Sequence, residues 1–247
     1  MNETHTVNAS SASEGKIQTK RVPFAVVEAY KTIRTNLTFL QAASKSKTVA
    51  VTSSDMGDGK STTSVNVAIA FSQLGEKTLI IDADLRRCSV HKKLKINNDK
   101  GLTNVLAGIT GFKDAVKSVT PCLDVLTTGQ VPPNPSELLG SAAFRELLDT
   151  AREEYDHIII DTPPVNIVSD ALIVGAETGG LVFVIRENHT TTESYERAVA
   201  AAKFANINIL GVIINGTNSR GSKYKYNRYK KYGYRYKYSY SAPKNQV

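Results

Sequence analysis

The stretch Val49–Ser61, VAVTSSDMGDGKS, constrains this chain more than any other. An apolar, β-branched run enters a loop with glycines at 57 and 59, and Lys60-Ser61 then leads into a helix-like run, Thr62–Leu74. Strand, glycine-containing loop and helix in that order form a phosphate-binding loop. Glycine lets the backbone curl so that successive N–H groups face an anion. The helix start adds the positive end of its dipole at the same point. On this pattern Ser54, Met56, Gly57, Asp58, Gly59, Lys60, Ser61 and Thr62 surround a polyphosphate. Lys60 reaches the β- and γ-phosphates, and the Ser61 hydroxyl ligates Mg²⁺. Ser54 stands where G-x-x-x-x-G-K-[ST] has its first glycine. The plainer alternative, two turn glycines beside a solvated lysine, makes no demand on the rest of the chain.

The rest of the chain carries matching chemistry. Lys77–Ile81 reads as a buried strand that runs into Asp82-Ala83-Asp84-Leu85-Arg86. Two carboxylates at i, i+2 point the same way, toward the crevice at the C-terminal edge of a parallel sheet. His157–Ile160 is a second buried strand and ends at Asp161, placed like a Walker B aspartate that organises Mg²⁺. Lys47–Thr52, Leu123–Leu126, Leu181–Ile185 and Ile207–Ile214 are further strands. Pro23–Ala43, Phe144–Glu154 and Thr190–Phe204 are helices, Gly75 follows the last turn of the loop helix, and Ser136 caps Glu137-Leu138-Leu139. Strands alternating with helices predict an α/β fold: a P-loop NTPase-like, doubly wound, mostly parallel sheet flanked by helices.

In the first helix Val27, Tyr30, Ile33, Leu37 and Leu40 make an apolar stripe. Glu28, Lys31 and Arg34 recur beside it, either as a solvated charged face or as a subunit contact; spacing alone favours the solvated face. Residues 1–22 are polar, lack the apolar segment of a signal peptide, and read as a disordered lead to a domain spanning 23–219. No apolar run approaches the roughly 18 residues of a membrane span. Two cysteines, Cys88 and Cys122, suggest neither a disulfide framework nor a metal cluster, so a reducing cytosol is expected. The four histidines show no zinc-ligand spacing.

Charge is uneven. Of 31 Lys and Arg, nine fall in 220–247, which holds no Asp or Glu, so the first 219 residues carry 22 basic and 23 acidic side chains. The basic tail also holds eight of the eleven tyrosines, Tyr224, Tyr226, Tyr229, Tyr232, Tyr234, Tyr236, Tyr238 and Tyr240. No aliphatic core accompanies them. Three uses stay open on composition: a solvated tail, a nucleic-acid contact with cations for phosphates and rings for bases, or a phosphate acceptor. Eight phosphotyrosines at about −1.5 to −2 each would reverse the tail's charge. A phosphate loop in the same chain favours the acceptor.

Taken together these residues resemble the bacterial tyrosine kinases. Ser53–Ser61 is similar to that family's phosphate loop, Leu79–Arg86 to its D-x-D-x-R motif, Ile158–Asp161 to its Walker B, and Tyr224–Tyr240 to its tyrosine cluster. Glu28-x-x-Lys31-x-x-Arg34 resembles the family's oligomer motif, with lysine at the middle basic position. Met56 and Asp58 stand where proline and glutamate are common. The resemblance implies ATP and Mg²⁺ as cofactors and autophosphorylation of the tail in trans. Lys60, Asp82, Asp84 and Arg86 would be catalytic, with Asp82 as the base, although Asp82 and Asp84 could exchange roles. Ser61, Asp84 and Asp161 would hold the metal, and Asn215 would contact adenine. It further implies a ring-like homo-oligomer, an octamer in the family. The other partners would be the cytoplasmic tail of a transmembrane activator or polysaccharide co-polymerase, a cognate tyrosine phosphatase and protein substrates, with no nucleic acid required. The setting would be cytoplasmic, recruited to the inner face of the membrane, in exopolysaccharide or capsule synthesis. Two other readings remain. One is a partitioning or positioning ATPase, which usually carries lysine at the position of Asp55. The other is a non-catalytic adaptor whose tail binds nucleic acid or membrane.

Overall fold

In the computed structural model, which describes residues 23–217, seven strands form one sheet. They are β1 (Thr48–Ser53), β2 (Thr78–Asp82), β3 (Lys117–Thr120), β4 (Leu123–Leu126), β5 (His157–Asp161), β6 (Leu181–Arg186) and β7 (Ile209–Asn215). Their order is β3-β4-β2-β5-β1-β6-β7. Every pairing is parallel except β3 with β4. The doubly wound, mostly parallel sheet expected from the alternating pattern is the fold observed. Residues 1–22 and the tyrosine cluster Tyr224–Tyr240 lie outside the described residues.

The central strands are apolar without interruption because both sheet faces are covered. Side chains alternate between the faces. Ala50, Ile81, Ile158, Ile160 and Phe183 enter one core, with α4 (Leu102–Leu106), α5 (Phe112–Ala115), α6 (Pro135–Leu139), α7 (Ala142–Glu154), α8 (Asp170–Ala176) and α9 (Thr192–Phe204). Val49, Val51, Ile80, Ile159 and Val182 enter the other, with α1 (Phe24–Ser44), α2 (Lys60–Ser72) and α3 (Val90–Leu94).

Several boundaries differ from the sequence expectation for physical reasons. Helix α2 starts at Lys60 rather than Thr62, because Gly59 at φ +93° ends the loop in the left-handed region and caps the helix. It stops at Ser72, and Gly75 lies beyond a short turn. Helix α9 starts at Thr192 because Thr191 is its cap, accepting from Ser194 N at 3.1 Å. Ser136 does not cap α6. That helix has Asn134 at its cap position and Pro135 as first residue, and the Ser136 hydroxyl donates to Asp170 Oδ1 at 2.6 Å. Two elements carry no clear period: the polar edge strand β3, and α8, whose apolar run fits helix or strand.

Helix α1 is fastened to the body at two points near the C-terminal end of α2. Arg34 Nη1 donates to Ala70 O at 2.8 Å, satisfying a carbonyl in the last turn of α2. Gln41 donates to Lys47 O at 3.0 Å, and its Oε1 lies 2.8 Å from His157 Nδ1. The His157 ring stacks on Phe71 with centroids 3.9 Å apart. Of the three motif residues, Glu28 and Lys31 pair with each other at 2.8 Å on the half-exposed face, while Arg34 turns inward. Arg34→Met is therefore expected to destabilise the single chain by about 1.5–3 kcal/mol, the range for hydrogen bonds to charged groups. Urea denaturation at low protein concentration measures it; an unchanged midpoint would mean the arginine serves only contacts between chains.

Candidate phosphate-binding site

The site is assembled by register. Strands β2, β5 and β1 are neighbours, with Asp82 opposite Asp161 and Asp161 opposite Val51. Their C-terminal ends therefore bring two carboxylates to the mouth of the loop that follows β1, at the crevice side of the sheet.

The loop has the geometry its glycines require. Gly57 and Gly59 have φ of +89° and +93°. A Cβ on Gly59 would fall 2.1 Å from Asn215 Nδ2. The first-turn N–H groups of Lys60, Ser61 and Thr62 have no carbonyl within α2 to bond. The Ser54 hydroxyl is buried without a partner. Donors without acceptors, converging at a helix start, suit a phosphate group.

Beneath the loop lies a buried charge cluster. Lys60 Nζ is 2.7 Å from Asp84 Oδ2, 3.8 Å from Asp161 Oδ2 and 3.3 Å from Ser61 Oγ. Asp82 and Asp161 are fully buried and Asp84 is 3% exposed. Burial works against the charge on Lys60, but Asp161 and Asp84 outweigh it and raise its pKa. Burial raises Asp161, although Lys60 and the Ser61 and Ser64 hydroxyls oppose the shift. Asp161 Oδ1 accepts from Ser64 Oγ at 2.9 Å, and Oδ2 has no hydrogen-bond partner. That orphaned oxygen, with Asp84 and the Ser61 hydroxyl beside it, fits a divalent cation. No group of three His, Cys, Asp or Glu side chains capable of holding a metal occurs among the described residues. Mg²⁺ does not need one, since one or two carboxylates complete its shell with water and substrate phosphates.

Asp82 is held differently from Asp84. Its Oδ2 accepts from Ser89 N and Val90 N, each at 3.0 Å, and its Oδ1 from Asp84 N at 3.3 Å. Burial and the neighbouring Asp161 push its pKa up to about 7, against the pull of those amides.

The other expected residues have their own partners and exposure. Arg86 does not reach the aspartates of its own motif. Its Nε donates to the buried Asp170 at 2.9 Å, and its Nη2 reaches Ser136 Oγ at 3.1 Å. Asn215 Nδ2 donates to the Asp58 carbonyl at 2.9 Å and so supports the loop from outside. Met56 is 47% exposed at the loop tip. Thr62 accepts from Lys93 Nζ at 2.9 Å. The Asp58 side chain is held by groups of the same chain. Its Oδ1 accepts from Thr190 Oγ1 at 2.7 Å and lies 2.9 Å from His189 Nδ1, and its Oδ2 accepts from Asp55 N at 3.2 Å. Asp55 accepts from Ser194 Oγ, and Arg186 Nη1 donates to Gly57 O at 3.2 Å. The supports Asp55, Ser64, Asp170, His189 and Thr190 escape sequence reading. Each meets a partner across dozens of residues, and all but Asp55 lie outside the motifs.

Comparison with known proteins agrees with this geometry. A family described as an AAA domain matches residues 46–189. Tyrosine-protein kinase YwqD of Bacillus subtilis is 44% identical over 201 residues, covering 81% of this chain and 85% of that protein. The tyrosine-protein kinase etk of Escherichia coli is 36% identical over 85% of this chain, which spans only 30% of that longer protein. The solved kinase domain of that enzyme superposes with TM-score 0.76 at 35% identity, covering 91% of this chain and 88% of the domain. A plasmid partition protein from Borrelia burgdorferi shares the fold at TM-score 0.56 and 21% identity. Among the described residues, no helix is long and apolar enough to cross a membrane.

Two outcomes are expected. Gly59→Ala collides with Asn215 and should weaken Mg-nucleotide binding by about tenfold or more, roughly 1.4 kcal/mol, as measured by calorimetric titration. Asp82 keeps its proton to about pH 7 when folded and releases it near pH 4 when unfolded. Its stabilising contribution is complete below the unfolded value and is lost as pH rises through the folded one. The urea midpoint of the nucleotide-free protein should fall from about pH 5 to about pH 8, and Asp82→Asn should flatten that fall.

Proposed function

Since this chain belongs to the bacterial tyrosine-protein kinases, we propose that it transfers the γ-phosphoryl group of Mg-ATP to tyrosines of the Tyr224–Tyr240 cluster on another copy of itself. The observation that supports this most is Lys60 lying between Asp84 and Asp161 at the foot of a phosphate loop.

Ser61, Asp84 and Asp161 would hold Mg²⁺, which supplies positive charge against the β- and γ-phosphates. Lys60 and the first-turn amides of α2 bind and orient the phosphates. A tyrosine hydroxyl, with a pKa of about 10, is protonated near neutral pH and needs an acceptor during or after transfer. Asp82 is that acceptor: its pKa of about 7 suits a base at neutral pH, whereas Asp84 is committed to Lys60 and to Arg87 N. Arg86 braces the end of the D-x-D-x-R segment against α8 through Asp170.

The family supplies the wider setting of this proposal. Transfer between copies would take place in a ring-like oligomer contacted through the Glu28-Lys31-Arg34 segment, with Glu28 and Lys31 on the half-exposed face and Arg34 bracing α1 on α2. The cytoplasmic end of a membrane protein recruits and activates the kinase, a cognate phosphatase resets the tail, and the cycle regulates exopolysaccharide or capsule synthesis.

The test is intact mass after incubation with Mg-ATP, with and without a peptide from such an activator. A ladder of phosphate additions mapping to Tyr224–Tyr240 is expected. ADP without phosphotyrosine would favour a positioning ATPase, and neither product would favour an adaptor. Lys60→Met should lower autophosphorylation by about 100-fold or more with the fold intact by circular dichroism. A tail-deleted active chain mixed with the Lys60→Met chain should label the inactive partner; label confined to active chains would rule out transfer in trans.

A further inference from the structure

Asp58 is a fully buried carboxylate inside a loop built for a polyanion. Its hydroxyl and amide donors, Thr190 and Asp55 N, satisfy its lone pairs but do not cancel its charge. Among the described residues, the one side chain within ion-pair distance that can become a cation is His189, at 2.9 Å. The other charged side chains on the elements that carry these partners are Asp55 on the loop, Arg186 at the end of β6, Glu187 just after it, and Glu193 in the first turn of α9. Arg186 is directed to the Gly57 carbonyl. The imidazole also covers the loop: a Cβ on Gly57 would lie 3.5 Å from both Cε1 and Nε2 of His189. Histidine is the side chain that changes charge most readily near neutral pH.

We propose that His189 is a positioning residue for the nucleotide, carrying as imidazolium the positive charge that offsets Asp58 when polyphosphate occupies the loop. The inference rests on the nucleotide reading of the site. Bringing phosphate charge beside the Asp58 carboxylate disfavours binding, and protonating the partner of Asp58 relieves that repulsion. By linkage, a ligand favoured by the protonated form must draw a proton onto the protein when it binds. The proton comes from buffer and is held on His189 Nε2, while Nδ1–H donates to Asp58.

The experiment is calorimetric titration of the full chain with Mg-ADP at about pH 6 to about pH 8.5, in pairs of buffers differing in ionisation enthalpy. The wild type is expected to take up more protons than His189→Gln near neutral pH. The difference cancels the ionisation of ADP and of Asp82, which are common to both proteins. The affinity of the wild type should fall more steeply with rising pH than that of His189→Gln, the two converging at the alkaline end. Asp58→Asn should also remove the excess uptake. Should a variant fold poorly, the wild-type histidine NMR signals give the same answer, since His189 should move toward the protonated position on adding Mg-ADP. Equal proton uptake in wild type and His189→Gln, or an unmoved His189 signal with nucleotide bound, would overturn the proposal. A wild type that binds no Mg-ADP at any pH would instead overturn the nucleotide reading beneath it.

Discussion

Three carboxylates and one ammonium share a nearly dry space at the crevice edge of the sheet. Asp82, Asp84 and Asp161 face a single lysine, so the site is short of positive charge. Buried charge of one sign is tolerated only when it is paired, hydrogen-bonded or neutralised by a proton. The surroundings supply all three remedies. Lys60 pairs with Asp84, backbone amides of the segment leading into α3 hold Asp82, Ser64 holds Asp161, and Asp82 retains a proton to about pH 7. The shortfall suits a divalent cation, whose shell water and phosphate oxygens would complete.

The same economy of charge explains why the loop needs so much support from outside. A segment with two glycines in the left-handed region does not hold its own shape. Five residues of β6, its connection to α9, α9 itself and the end of β7 fasten it: Arg186, His189, Thr190, Ser194 and Asn215. The loop's two acidic side chains, Asp55 and Asp58, serve as attachment points.

The strands other than β3 and their order along the chain were legible in the sequence from short-range pattern. Uninterrupted apolar runs marked strands covered on both faces, and a carboxylate directly after such a run had to emerge at the sheet edge. Lys60, Ser61, Asp84 and Asp161 meet because β1, β2 and β5 are neighbours, as in doubly wound folds of this order. What was not legible is side-chain choice among distant partners. Arg86 had carboxylates two and four residues away and took Asp170, 84 residues on, because that acid is wholly buried and needs a counter-charge. Ser136 had a helix end to cap and took the same aspartate. Edge strand β3, four half-exposed residues, has too little buried surface to leave a periodic trace.

Helix α2 has an unusual pair of attachments. Its first residue is Lys60 and its last turn is gripped by Arg34 of α1. Thirteen helical residues measure about 20 Å at 1.5 Å per residue. The helix is a stiff rod, with Lys60 at its first residue and the Arg34 contact of α1 at its last turn. A displacement of α1 would therefore bear on the same rigid element that carries Lys60.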